Sequence, residues 1–392
     1  IVLSYTPCLY AAEPGTQPIS WFFLCISMFG GLALFLYGME KMSTGLKRTA
    51  GNRMRSILAA LTKNRIVAMF VGAFITMVIQ SSSATTVMLV SFVQAGLMTF
   101  VQSMGVILGA DIGTTITAQL IAFKLTDYAL LMIAIGFSLH MFGKRDITKN
   151  VGDVILGFGI LFFGMKLMSD AKQPLRTYPV FIDIMREMEN PFLGILIGAL
   201  FTALVQSSSA TTGVVIVLAQ QGFLTLDAGI PLVFGANIGT CITAGLASIG
   251  TSREAKRVAL AHVIFKLAGV LLFVFWIPGF ADFIRMLAER FDSGTARQIA
   301  NAHTIFNVAL ALIFLPFTQH FSRLIFKLLP LEEKPKDVTM TTKYLDEESI
   351  STPAVALDLA RAEVSRMAKL VWRMLASIII PFMSDEKLIE KE

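Results

Sequence analysis

Gln80-Ser-Ser-Ser-Ala-Thr-Thr86 returns unchanged as Gln206-Ser-Ser-Ser-Ala-Thr-Thr212, 126 residues further on. The same offset carries Gly109-Ala-Asp-Ile-Gly-Thr114 onto Gly235-Ala-Asn-Ile-Gly-Thr240, and 31–43 (GLALFLYGMEKMS) onto 157–169 (GFGILFFGMKLMS). Aligning 71–120 with 197–246 needs no gap and leaves 22 identical pairs. One offset across three separated blocks is the mark of duplication. The fold must therefore be one that a single unit can build twice.

Composition says in which solvent. Charged residues make up 15% of the chain and hydrophobic ones 55%, against about 25% charged in soluble domains. Apolar stretches near the length that crosses a bilayer core recur. The chain reads as an all-α polytopic membrane protein with the lipid bilayer as a partner. The formal charge of +6 is no nucleic-acid signal, because Lys and Arg cluster between apolar spans, as orientation signals do. Cys8, Cys25 and Cys241 make neither a disulfide framework nor a metal spacing.

Each unit has the same plan. A span (21–43; 152–170) precedes two apolar arms that meet at the serines (66–98; 191–222). A span interrupted at Gly-Thr follows (101–123; 227–248), then a fourth (127–143; 257–277), and a final helix lies near 298–328. Arg65 to Gln80 makes only about 22 Å of helix, short of a full crossing. The polar run then falls at mid-membrane, where irregular backbone is tolerated only inside protein or beside water. The arms therefore read as re-entrant hairpins, the second starting at Asn190-Pro191 with Asn as N-cap and Pro at the first helical position. Three crossings per unit make the copies inverted, the plan of many secondary transporters. Glycines in the interrupted spans also suit plain helix packing.

Charge sets the orientation. Lys41, Lys47, Arg48, Arg53, Arg55, Lys63 and Arg65 place loop 41–65 in the cytoplasm and the N-terminus outside. Lys144, Arg145 and Lys149, then Arg253, Lys256 and Arg257, and the chain after Arg323 and Lys327, fall inside as well. Loop 171–190 and the segment 279–297, of mixed charge, fall outside. The expected divisions are 1–20, an N-terminal segment that reads as a signal-peptide remnant or an ordinary terminus; 21–150, repeat 1; 151–278, repeat 2; 279–330, an extracellular segment and the final helix; and 331–392, a cytoplasmic linker and helix.

A helix that starts at the serines offers unpaired N–H groups and the positive end of its dipole, an anion cradle. The candidate substrate residues are Gln80, Ser81, Ser82, Ser83, Gln206, Ser207, Ser208 and Ser209, with Thr114 and Thr240 at two further half-helix starts. Hydroxyls and unwound carbonyls also suit sodium. Gln80, Ser83, Thr86, Asp111 and Thr115, and in the second copy Gln206, Ser209, Thr212, Asn237 and Thr243, are the candidate sodium ligands. Asp111 faces Asn237 in the alignment, so one charge breaks the symmetry. It costs roughly 2.5–3.5 kcal/mol at a helix centre, and a bound cation would offset this; a structural acceptor role stays open. His262, His303 and Asn307 read as hydrogen bonders in helix packing. Lys266 pairs with Asp111, neutralises a bound anion, or snorkels. With no nucleophile–base pair, metal cluster or nucleotide loop, the chain reads as no enzyme.

The paired Gln-Ser-Ser-Ser motifs and the Gly-Ala-Asp/Asn-Ile-Gly-Thr segments resemble the type II sodium–phosphate cotransporter family over about 25–328. The resemblance implies sodium-driven symport of inorganic phosphate, with sodium ions as coupling ions, no other cofactor, and Gln80–Ser83 and Gln206–Ser209 lining a shared site. The family's His-x-x-Phe-Asn pattern stands at His303, Phe306 and Asn307. Lys266 stands where Asn is expected, and Asp111 replaces the usual Asn. Residues 353–380 look like the opening helix of a PhoU-like domain, or an amphipathic helix on the inner leaflet. An inner-membrane location and a homodimer complete the expectations, with transport of another oxyanion or carboxylate, or phosphate sensing, as alternatives.

Overall fold

The computed structural model describes residues 21–50, 64–123, 125–170, 187–291, 293–330, 344 and 353–383. The expected signal-peptide remnant, the loop residues 51–63 and 171–186, and most of the linker after 330 lie outside these. The chain divides into two units, 1–331 and 332–392, and among the described residues all regular structure is helical.

The first unit runs α1 (Trp21–Ala50), α2 (Arg65–Ile79), α3 (Ser82–Gln94), α4 (Phe100–Ile121), α5 (Ala129–Phe142), α6 (Asp146–Asp170), α7 (Pro191–Val205), α8 (Ser208–Gln220), α9 (Leu226–Gly239), α10 (Cys241–Ala247), α11 (Arg253–Val274), α12 (Ile277–Phe291), α13 (Thr295–Phe314) and α14 (Thr318–Leu328). The second unit holds α15 (Pro353–Met383). Five helical stretches among the described residues are long and apolar enough to cross a membrane, or up to six with the bent pair α13–α14.

Glycine decides how the helices meet. A Cβ on Gly105 would lie 2.6 Å from the Arg65 carbonyl, one on Gly109 would fall inside the Met69 carbonyl, and one on Gly113 would strike that of Ala73. Both sets climb in steps of four, so α2 and α4 run parallel with backbones in contact, as small-xxx-small spacing allows. The second copy repeats this at the corresponding positions: Gly235 meets the Ile195 carbonyl and Gly239 that of Ala199, 2.5 Å away. From the end of α2 the chain turns back as α3, and the Thr76 and Thr85 hydroxyls bond at 2.8 Å across the turn. Their mates Thr202 and Thr211 do so at 2.7 Å.

The α1–α6 seam has the same chemistry. Gly31 meets the Gly164 carbonyl (2.8 Å), Gly38 that of Gly157 (2.6 Å), and Gly45 that of Asn150 (2.8 Å). As numbers rise on α1 they fall on α6, so the pair is antiparallel. Gly152 and Gly159, on another face of α6, take α5 in the same way. Where this bundle ends, Lys41 Nζ and His140 Nδ1 each lie 2.8 Å from Asp153 Oδ1, in contacts that are close but not aligned as hydrogen bonds.

Several expected elements differ. The interrupted span of the first copy is one continuous helix, α4, through Gly113-Thr114. Its glycines serve packing, and no half-helix starts there. In the second copy a single residue, Thr240, separates α9 from α10. The expected helix near 298–328 is two, bent by 80° at Pro316, whose missing N–H ends a helix. The segment after 279 is helical, since Ile277, Phe280, Ala281, Ile284 and Ala288 form one buried stripe on α12. The fourth span of the first copy is the 14-residue α5, about 21 Å long, and α6 begins earlier than expected, at Asp146.

Candidate functional site

Both serine motifs build the same turn. α2 ends on Gln80 with φ 60°, and α7 on Gln206 with φ 57°; these are the only left-handed non-glycine residues among those described. Each glutamine closes its helix by donating its N–H to a threonine carbonyl four residues back, Thr76 and Thr202, both at 2.7 Å. Ser81 and Ser207 then cap the next helix, accepting from the Ala84 amide at 3.1 Å and the Ala210 amide at 3.2 Å. The two first serines thus stabilise the turn, and Ser82, Ser83, Ser208 and Ser209 occupy the first helical turn, where amides lack partners within the helix.

Several expected residues converge. Thr243 Oγ1 lies 3.2 Å from Ser83 Oγ, which joins the first tip to the second copy. His262 Nδ1 lies 3.4 Å from Thr86 Oγ1, and its Nε2 lies 3.5 Å from Thr240 Oγ1. Lys266 Nζ donates to Asp111 Oδ1 at 2.6 Å and to Asn237 Oδ1 at 3.1 Å. One buried ammonium therefore joins two residues that correspond in the duplication. The bond to Asp111 is one of the three roles that the sequence left open for Lys266.

Other expected residues make no side-chain bond to this cluster. Thr114 and Thr115 donate to carbonyls of their own helix, Ala110 at 3.0 Å and Ile112 at 2.8 Å. Thr212, the mate of Thr86, is buried with its hydroxyl unpartnered, as is Nδ1 of His303. Thr117 was not among the expected residues, yet it donates to Gln80 Oε1 at 2.6 Å. Its repetition as Thr243 was the available signal.

The two tips are not in the same state. Gln80 is buried (7% exposed) and held by Thr117, while Gln206 is exposed. Ser43 on α1 donates to the Ile79 carbonyl at 3.0 Å, fastening the bundle to the first tip. Ser169, the mate of Ser43, makes no such bond to Val205, the mate of Ile79. Ile75 is fully buried, but its mate Phe201 is 38% exposed.

The profile of the family described as Na+/Pi-cotransporter matches residues 34–170 and 181–290. The uncharacterized protein YqeW of Bacillus subtilis (strain 168) is 33% identical over 78% of this chain and 99% of its own length. The "Putative inorganic phosphate export protein YjbB" of Escherichia coli (strain K12) is 28% identical over 90% of this chain, which spans 64% of that protein. Sodium-dependent phosphate transport protein 2B of Homo sapiens is 36% identical over 32% of this chain and 20% of its own length. No solved structure matches. With the profile covering most of the helical unit and both serine motifs inside the match, the chain belongs to the Na+/Pi-cotransporter family.

Proposed function

We propose that this multi-pass membrane protein is a sodium-coupled symporter of inorganic phosphate that works by alternating access. The observation that carries the reading is the pair of identical tips, each a left-handed glutamine, a serine cap and an open helix N-terminus. Phosphate would lie against Ser82, Ser83, Ser208 and Ser209 with the Gln80 and Gln206 amides. Sodium would use the Ser83, Thr86, Thr212 and Thr243 hydroxyls.

Inversion of the two copies has a specific support. Gly31 and Gly38 correspond to Gly157 and Gly164, and Gly31 packs on Gly164 while Gly38 packs on Gly157. This crossed pairing is what a two-fold axis produces, and it sets corresponding helices antiparallel. Re-entrant hairpins α2–α3 and α7–α8 would then enter from opposite faces, the first from the cytoplasm and the second from outside. The sealed tip at Gln80 and the exposed tip at Gln206 fit one of two exchangeable states. The N-terminus would lie outside and α15, with its PhoU-like sequence, inside.

Coupling has an energetic reason. Bringing a dianion into a cell against 100 mV costs about 4.6 kcal/mol, which co-transported sodium offsets. The test is labelled-phosphate flux in proteoliposomes with sodium on one side, with and without an imposed potential. Flux indifferent to sodium refutes the coupling. Equal competition by sulfate or dicarboxylates refutes the substrate.

A further inference from the structure

Two helices outside the aligned blocks carry the same pattern, Ala-His-x-Ile-Phe. α11 has Ala261-His-Val-Ile-Phe-Lys266, and α13 has Ala302-His-Thr-Ile-Phe-Asn307. α11 packs on α3, and α13 packs on α8, the mate of α3. The two strings thus serve the two copies in the same way. Their last residues differ, as Asp111 and Asn237 do. By position, Asp111 and Lys266 correspond to Asn237 and Asn307, although Asn237 bonds Lys266 and Asn307 donates to the His303 carbonyl. The charges occur together on one side and are both missing on the other.

We infer that Lys266 is a tethered cation that stands in for a coupling sodium ion at Asp111. The inference rests on the sodium-coupled reading above and assigns the charge balance of that site. Lys266 and Asp111 are both buried, at 4% and 9% exposure, and the ammonium sits 2.6 Å from the carboxylate. A sodium ion at Asp111 would have to displace a covalently tethered ammonium from the carboxylate, or share the carboxylate with it at like-charge distance. Neither competes with sites made of neutral hydroxyls. The second bond, to Asn237 at 3.1 Å, puts the cation between corresponding residues, where an ion shared by the two copies would lie. Each copy then presents a polar pair of zero net charge, and Asp111 is no surplus charge to be filled from solution.

The purified protein is compared with K266N and with D111N/K266N, which makes the first pair like the second. One readout is the sodium-specific thermal shift in detergent, sodium chloride against choline chloride at equal ionic strength. The other is the limiting phosphate gradient in proteoliposomes at zero potential. K266N is expected to bind one more sodium, with a steeper thermal response to sodium. Under a tenfold sodium gradient its limiting phosphate ratio should rise about tenfold. D111N/K266N should return both values to those of the parent. A K266N protein that matches the parent in both readouts overturns the inference, as does a D111N/K266N protein that binds one sodium fewer. If K266N does not fold, the double variant decides: sodium responses equal to the parent's support the inference, and one bound sodium fewer overturns it. If the parent moves phosphate without sodium, the functional reading fails and the thermal comparison still decides the role of Lys266.

Discussion

Lys266 on α11 donates to Asp111 on α4 across 2.6 Å, with both side chains buried. A buried pair returns little net stability, because desolvating each ion offsets their attraction. Removing one partner is different, since it strands the other charge and costs about 3–5 kcal/mol. Asp111→Ala and Lys266→Met should each lower the thermal stability of the detergent-solubilised protein by that order. Asp111→Asn with Lys266→Asn should cost far less than the sum. Additive losses in a double-mutant cycle would mean that the pair does not act as a unit.

The α1–α6 seam predicts a contrast among glycines. Cβ atoms on Gly38 and Gly157 would both strike backbone of the facing helix, whereas Gly30 has open space within 4 Å. Gly38→Ala and Gly157→Ala should each destabilise by about 1–3 kcal/mol through overpacking. Gly30→Ala should be neutral or stabilising by up to about 1 kcal/mol, from helix propensity. Thermal unfolding in detergent checks this, and equal behaviour of the three would contradict backbone contact at the seam.

The asymmetry of the two tips predicts which contact replaces which. Ser43 reaches the Ile79 carbonyl at 3.0 Å, and the corresponding residues are Ser169 and Val205. If the bundle exchanges one tip for the other, a Ser43→Cys, Ile79→Cys pair should cross-link in one state and a Ser169→Cys, Val205→Cys pair in the other. Sodium and phosphate should move the two yields in opposite directions. Yields that rise and fall together would exclude exchange.

The duplication was legible because identical strings at one offset leave no other account, and the turn chemistry followed from it. Gln-Ser-Ser-Ser carries its own cap at Ser81 and Ser207, and Asn190 caps α7 as Asn-Pro suggested. The second copy's span does break, at Thr240, but the first copy's was misread as interrupted because Gly-x-x-x-Gly suits both a break and a close contact. Only the facing carbonyls of Met69 and Ala73 choose between them. The stripe on α12 was present at Ile277, Phe280, Ala281, Ile284 and Ala288 but is diluted by charges on its other face. Sequence offered Asp111 as one partner for Lys266 but could not choose it, since its partners lie 155 and 29 residues away and no local pattern decides between them.

The left-handed glutamines separate backbone from side chain. Gln80 and Gln206 adopt φ near 60°, a conformation that costs a residue with a Cβ on the order of 1 kcal/mol and glycine almost nothing. Gln80→Gly should therefore relieve the backbone cost while losing the side chain's two bonds, from Thr117 and to the Met77 carbonyl, about 0.5–1.5 kcal/mol each. Gln80→Ala should be less stable than Gln80→Gly. If the amide serves only to shape the turn, Gln80→Gly transports phosphate normally. If it contacts the substrate, both variants lose phosphate flux by a similar factor despite their different stabilities. The site reading predicts the second outcome, and predicts it for Gln206 as well, where the exposed side chain has no bond to Thr243 whose loss could mask the effect. Flux in proteoliposomes, normalised to folded protein, distinguishes the two.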